Sequence, residues 1–284
     1  MSTTAPAAPT STSIQTPDGK YTITTTITPT QSGSGTSAPP PPTGPQPPVI
    51  PATAKVVDCL PLAWTAAQDP ATNPAGAPSA VGTTSYPVTY NGSSNLRQFN
   101  ATLGNKGGIL FHCSVLPDAS AYKNFCLEFD AESPDWSNIA CLETDLNWVD
   151  KSGTGTNAGK GKVTIIGQQL AGWDNCAEIT SVSGGACHWN KTSVTPADPR
   201  TWAKGSRHVV KWYVQIDGLG NVLYIGVSID GVYHQFGTAG TKLLSLDALW
   251  WAAGLLNGQL QLDGSAAAKT SSILYAHAYL VSMW

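Results

Sequence analysis

Beyond Lys55 the sequence is cut into short β-prone runs by turn residues, and no stretch sustains the 3.6-residue apolar period of a long helix. The runs are 96–103, 108–115, 122–131, 138–148, 162–170, 176–182, 208–216, 222–229, 232–236, 255–262 and 272–283. Asp230-Gly231, between Val227-Ser228-Ile229 and Val232-Tyr233, has the signature of a tight hairpin, because glycine accepts positive φ at little cost. The stretch from Lys242 to Trp251 is the best short-helix candidate. Successive strands without long intervening helices fold as a sandwich or barrel rather than a parallel α/β sheet. The fold class expected is all-β, a two-sheet antiparallel jelly-roll sandwich spanning residues 55–284.

Residues 1–54 read differently. Twelve of the 21 prolines precede Lys55, and this stretch holds one aromatic residue, Tyr21, and two charged ones, Asp18 and Lys20. Such a segment buries too little apolar surface to offset the entropy of ordering it, so a disordered Ser/Thr/Pro-rich tail and linker is expected. Within it, Thr16–Ile27 combines a Pro-Asp-Gly turn with a β-prone run and could form a lone strand. Met1-Ser2-Thr3-Thr4 lacks the basic and apolar regions of a secretory leader. A tail of this composition commonly spaces a domain from a surface or assembly, an attachment role expected here too. The 15 basic residues against 18 acidic form no basic stripe, which excludes a nucleic-acid partner, and no apolar run is long enough for a helical membrane span.

Strand parity gives the first functional clue. Side chains alternate across a strand, so Glu143, Asp145 and Asn147 share a face opposite Leu142, Leu146 and Trp148. Tyr213 and Gln215 lie opposite Val210, Trp212, Val214 and Ile216, while Asn257, Gln259 and Gln261 lie opposite Leu256, Leu260 and Leu262. A face of planar amides, carboxylates and aromatics suits sugars: amides and acids bind adjacent hydroxyls, and rings cover the apolar face of a pyranose. An ordinary solvated sheet face is the competing reading.

The strings Phe125-Cys126-Leu127-Glu128-Phe129-Asp130, Cys141-Leu142-Glu143-Thr144-Asp145-Leu146-Asn147, His208-Val209-Val210-Lys211-Trp212-Tyr213 and Tyr224–Val232 resemble the concanavalin A-like lectin/glucanase superfamily over roughly residues 85–284. The resemblance implies a jelly roll whose concave face binds glycans. Its retaining glycosidases carry Glu-x-Asp-x-Glu on a concave strand, which would make Glu143 the nucleophile and Asp145 its tuning partner. The positions of the second Glu hold Asn147 and Trp148, and neither exchanges a proton at neutral pH. Glu128 or Asp130 is the candidate replacement. The lyase branch needs a converging His, Tyr, Arg and Gln. Here His112, His208, His234 and His277 are scattered and read as structural. The incomplete motif favours a non-catalytic, extracellular carbohydrate-binding or adhesion module over a glycoside hydrolase acting on a β-glucan-like polysaccharide. A structural surface or virion decoration protein is the third reading. The expected partner is a polysaccharide or glycan. No cofactor or metal motif is present, which leaves room only for a structural calcium ion.

Six cysteines in a weakly charged β protein point to disulfides and an oxidising compartment. Cys176 and Cys187 flank Ser183-Gly184-Gly185 and are the expected hairpin bridge; Cys59, Cys113, Cys126 and Cys141 allow three pairings, and Cys113 also reads as a core thiol. Trp136, Trp173, Trp189 and Trp202 adjoin turn residues and are candidates for exposed stacking platforms, Trp173 being the one assigned to the glycan site.

Overall fold

The computed structural model describes residues 44–68, 88–104, 108–113, 121–150, 161–183, 186–216, 221–242, 246–248, 256–264 and 270–284, together with 10–15 and 22–27. The chain forms two compact units, Met1–Gly44 and Pro45–Trp284. In the first, β1 (Thr10–Gln15) and β2 (Thr22–Ile27) pair antiparallel, from Thr10 opposite Ile27 to Gln15 opposite Thr22. The β-prone run of the tail is thus half of a two-stranded ladder rather than a lone strand. The Pro17-Asp18-Gly19 turn and the rest of the expected tail up to Thr43 lie outside the described residues.

The second unit is a sandwich of two antiparallel sheets. The smaller sheet runs, in spatial order, β16 (Val232–Lys242), β15 (Asn221–Ile229), β14 (Arg207–Ile216), β8 (Asn124–Glu132), β19 (Thr270–Met283), β6 (Leu96–Leu103) and β5 (Val88–Asn91), with β3 (Lys55–Asp58) also paired to β19. The larger runs β13 (Ala186–Lys191), β12 (Cys176–Ser183), β11 (Gln168–Ala171), β9 (Ile139–Asp150), β18 (Leu256–Gly264), β7 (Gly108–Cys113) and β4 (Trp64–Gln68); β10 (Gly161–Ile166) also pairs with β9, and β17 (Leu246–Ala248) with β10. Consecutive strands β6 to β9 alternate between the two sheets, the jelly-roll pattern. Among the described residues the helical elements are single 3-10 turns at Trp136–Asn138 and Pro199–Thr201. The helix expected between Lys242 and Trp251 is not formed: Leu246–Ala248 is a strand on β10, because its backbone groups find partners in Gly161–Val163.

The core follows the parity read from sequence. Val210, Trp212, Val214 and Ile216 of β14 are all buried and face Leu142 and Leu146 of β9 and Leu256, Leu260 and Leu262 of β18 across the interior. Tyr279 of β19 is fully buried between the sheets, its hydroxyl reaching the backbone carbonyls of Asp145 (3.1 Å) and Gln259 (2.8 Å). The hairpin turn at Asp230-Gly231 has φ of 50° and 83°, the left-handed pair that a two-residue turn requires.

The cysteines depart from expectation. Cys59, Cys113, Cys126, Cys141 and Cys176 are buried free thiols. The β12–β13 register sets Cys187 opposite Val182, which puts Cys176 about 20 Å further along β12. A bridge requires Cβ atoms within about 4.5 Å, so the expected Cys176–Cys187 disulfide is not formed.

Candidate polar site on the larger sheet

The outer face of the larger sheet carries polar rows perpendicular to the strands. One row runs Lys191 on β13, Glu178 on β12, Gln169 on β11, Glu143 on β9 and Gln261 on β18. A second passes from Trp189 through Thr180 to Asp145, Gln259, His112 of β7 and Thr65 of β4. Cys141 and Asp263 pair in a third row. Registers align these positions because side chains alternate between the two faces along each strand, and each ladder is antiparallel without slips in the central rows.

The face is tightly hydrogen-bonded. Gln259 Nε2 donates to Asp145 Oδ2 at 2.8 Å and lies 3.5 Å from Glu143 Oε1. Asp145 Oδ1 accepts from the backbone N–H of Gln168 at 3.1 Å. Gln169 donates to Glu178 and accepts from the Cys141 thiol at 3.1 Å, and Gln261 donates to Asp263 at 3.2 Å. Glu143, Asp145, Glu178, Asp263, Gln259 and Gln261 are all buried. Burial first, then the neighbouring Asp174, pushes the Glu178 carboxyl up. The Cys141 thiol is pushed well up by burial and then by Asp263 and Glu143. Burial lowers His112, which meets Thr65 Oγ1 at 2.8 Å.

Trp189 is the exposed aromatic of these rows, 40% exposed. A Cβ built on Gly167 would meet Thr180 Cγ2 at 2.6 Å, Trp189 Cη2 at 3.2 Å and Asp145 Oδ1 at 3.4 Å. The indole therefore lies across β12, and its far edge ends above Gly167 next to the Asp145 carboxylate. Only a residue without a side chain leaves room for that crossing. Gly167 also splits the run expected at 162–170 into β10 and β11.

The structure gathers only part of the expected site. Glu143, Asp145, Gln259 and Gln261 share the outer face of the larger sheet. Asn147 and Asn257 are cross-strand partners there, the Asn147 side chain lying outside the described residues. Tyr213 and Gln215 belong to β14 of the other sheet and do not join them. Tyr213 is buried against Cys126 and meets Tyr233 edge-on at 5.8 Å, and burial pushes its phenol up to about 12. Trp173 sits half-buried in the turn after β11, pinned where Arg200, clamped by Asp198, donates to the Gly172 carbonyl at 2.6 Å. That turn lies beyond the Cys141 row, away from Asp145. Glu128 and Asp130, the expected substitutes for a second catalytic Glu, are on β8 of the smaller sheet, paired with Lys211 and Arg207. Trp136 is fully buried, not exposed. Gly167 was not singled out in the sequence, and His112 was read as structural; its parity opposite the core residues Ile109, Phe111 and Cys113 was the signal for the latter.

Cys141, Glu143 and Asp263 each bring one donor atom to within 4.8 Å of the others. A thiol with two carboxyls does not fit calcium, a hard cation that takes six to eight oxygens. The Glu143 and Asp263 carboxyls are thus neighbours on this face.

No family model matches the chain, and neither does any curated protein. Among solved structures it is similar to a carbohydrate esterase from the Shiga toxin-encoding bacteriophage phi24B, 11% identical over 78% of this chain and 88% of that one, TM-score 0.39. It is also similar to an endo-β-1,4-glucuronan lyase from the fungus Trichoderma reesei, 12% identical over 71% and 88%, TM-score 0.40. A third is botulinum neurotoxin type C, 8% identical over 77% of this chain and 42% of that one, TM-score 0.36. These are likenesses in the path of the chain.

Proposed function

We propose that this protein is a carbohydrate-binding β-sandwich that takes a pyranose of a polysaccharide onto Trp189. The observation that carries this reading is the exposed indole lying beside Asp145 at the end of a row of amides and acids. An aromatic face offers the apolar side of a sugar a stacking surface, while Lys191 and Asp174, ion-paired at 2.7 Å beside it, offer rim hydrogen bonds. Glu143, Asp145 and Gln259, buried and mutually bonded, hold the floor rigid rather than contact the ligand directly. The setting is extracellular, with the N-terminal segment as the attachment to a surface or assembly.

A second reading has one specific observation behind it. Glu143 and Asp263 bring carboxyl oxygens within 4.8 Å, near the roughly 5–5.5 Å separation of retaining glycosidases, so Asp263 could supply the acid that Asn147 cannot. One paired experiment separates the readings: polysaccharide affinity electrophoresis and a reducing-sugar assay on the same panel. Binding should be lost on Trp189→Ala, by about tenfold or more in affinity, and retained on Trp189→Phe, with unchanged melting temperature. Sugar release abolished by Glu143→Gln would replace binding with hydrolysis as the function. Silence in both assays would leave a structural surface or decoration role.

A further inference from the structure

A second constellation lies on the smaller sheet, independent of the polar face. Ser206 ends the turn that leads into β14, its N–H donating to the Ala203 carbonyl at 3.0 Å. His208, two residues on, has Nε2 at 2.7 Å from Ser206 Oγ and Nδ1 at 2.7 Å from Asp230 Oδ2. Asp230 comes from the β15–β16 hairpin and is clamped to β14 at both its backbone and its side chain. Its N–H donates to the Val209 carbonyl at 2.8 Å, and its Oδ1 accepts from the Val209 N–H at 2.8 Å. The second carboxylate oxygen is thereby aimed at the imidazole. Trp202 stacks on that ring at 3.9 Å and 16°, and Trp136 meets it edge-on at 5.8 Å. The Trp136 indole N–H donates to the Ser206 carbonyl at 3.0 Å. Nucleophile, base and orienting acid are each held from two sides.

We propose that Ser206, His208 and Asp230 form a serine-nucleophile triad, a site at which Ser206 accepts acyl groups from activated esters. A histidine clamped by an aspartate at a hairpin needs no hydroxyl on its far nitrogen, and here one stands in line. Ser206 Oγ also lies 2.6 Å from the Ala203 carbonyl. With the imidazole doubly protonated, Nδ1–H donates to Asp230, Nε2–H to Ser206, and the hydroxyl to Ala203. Once Nε2 has lost its proton, the hydroxyl can turn from Ala203 to Nε2, which is the reactive arrangement. As Ser206 Oγ bonds to the ester carbonyl carbon, its proton passes to Nε2. The carbon–alkoxy bond then breaks, and the alcohol leaves with that proton. Water repeats the sequence on the acyl-serine, releasing the acid and restoring the hydroxyl, so the net reaction is ester plus water to acid plus alcohol. The neighbouring backbone donors are already engaged, Gly205 N–H with Ser133 O and Ser206 N–H with Ala203 O. Esters with good leaving groups, which demand least oxyanion stabilisation, are therefore the substrate class.

The test is covalent labelling of the full chain with a fluorophosphonate, mapped by peptide mass spectrometry, and pre-steady-state hydrolysis of p-nitrophenyl acetate. The expected result is one label per chain on Ser206 and a burst of nitrophenolate that Ser206→Ala removes. Asp230→Asn keeps the Oδ1 acceptor for Val209 but presents an N–H to Nδ1, forcing the wrong tautomer. His208→Gln removes the base. Each should slow labelling about 100-fold or more at unchanged melting temperature. Absence of label from Ser206 in the folded wild-type chain would overturn the proposal, whatever the variants do, and so would wild-type labelling rates in folded Asp230→Asn and His208→Gln.

Discussion

Thr144 shows how the same β9 strand serves both faces. Its neighbours Glu143 and Asp145 point outward into a hydrogen-bonded network, while Thr144 points into the sandwich, 1% exposed, with a hydroxyl that has no hydrogen-bond partner among the described residues. Gln168, fully buried on the same side, donates to the Thr144 carbonyl, and its own Oε1 has no partner among the described residues. A buried hydroxyl without a partner costs about 1–3 kcal/mol, and valine has the same shape. Thr144→Val should therefore stabilise the protein by about 1 kcal/mol, read as a rise of roughly 2–4 °C in the melting temperature by calorimetry. The inward direction of Thr144 and the outward direction of Glu143 and Asp145 were both legible in the alternation with Leu142 and Leu146. The neighbours of Glu143 were not. Gln169, Glu178 and Asp263 reach it only through ladders whose partners lie 26 or more residues away in sequence, or across a second strand.

At the scale of elements, Leu96–Leu103 was legible to the residue, because its half-buried face imposes strict alternation, whereas β16, read as 232–236, runs on to Lys242. The short strands β4, β5, β13 and β17 were not, since they carry too few residues to display a period and are held as edge or near-edge partners. Parity also says which residues share a face of one strand, never which sheet that strand joins. This is why Tyr213 and Gln215 of β14 were grouped with Glu143 when they belong to the other sheet. The β12–β13 ladder makes a direct prediction. Because its register separates Cys176 from Cys187, alkylation of the denatured, unreduced protein followed by peptide mapping should find Cys176 modified as a free thiol. A Cys176–Cys187 linked peptide would require a six-residue slip of that ladder.

For the whole molecule, the core belongs to the unit that begins at Pro45, and every residue of its buried apolar set from Cys59 to Met283 lies within it. A chain starting at Pro45 should therefore melt within about 2 °C of the full chain and give the same β-rich circular dichroism spectrum; a loss of several degrees would show that residues 1–44 contribute to the stability of the sandwich. The order of strands has one more consequence. β18 lies between β9 and β7, and β19 between β8 and β6, so the two strands that come latest in the chain occupy the middle of both sheets. A ribosome delivers the flanking strands first. Until β18 and β19 emerge, the nascent polypeptide holds four unzipped inner borders, each a ready template for a neighbouring copy. The cell must therefore keep growing chains apart until both strands have emerged, and a message stalled or terminated before them would yield sticky fragments rather than a smaller working domain.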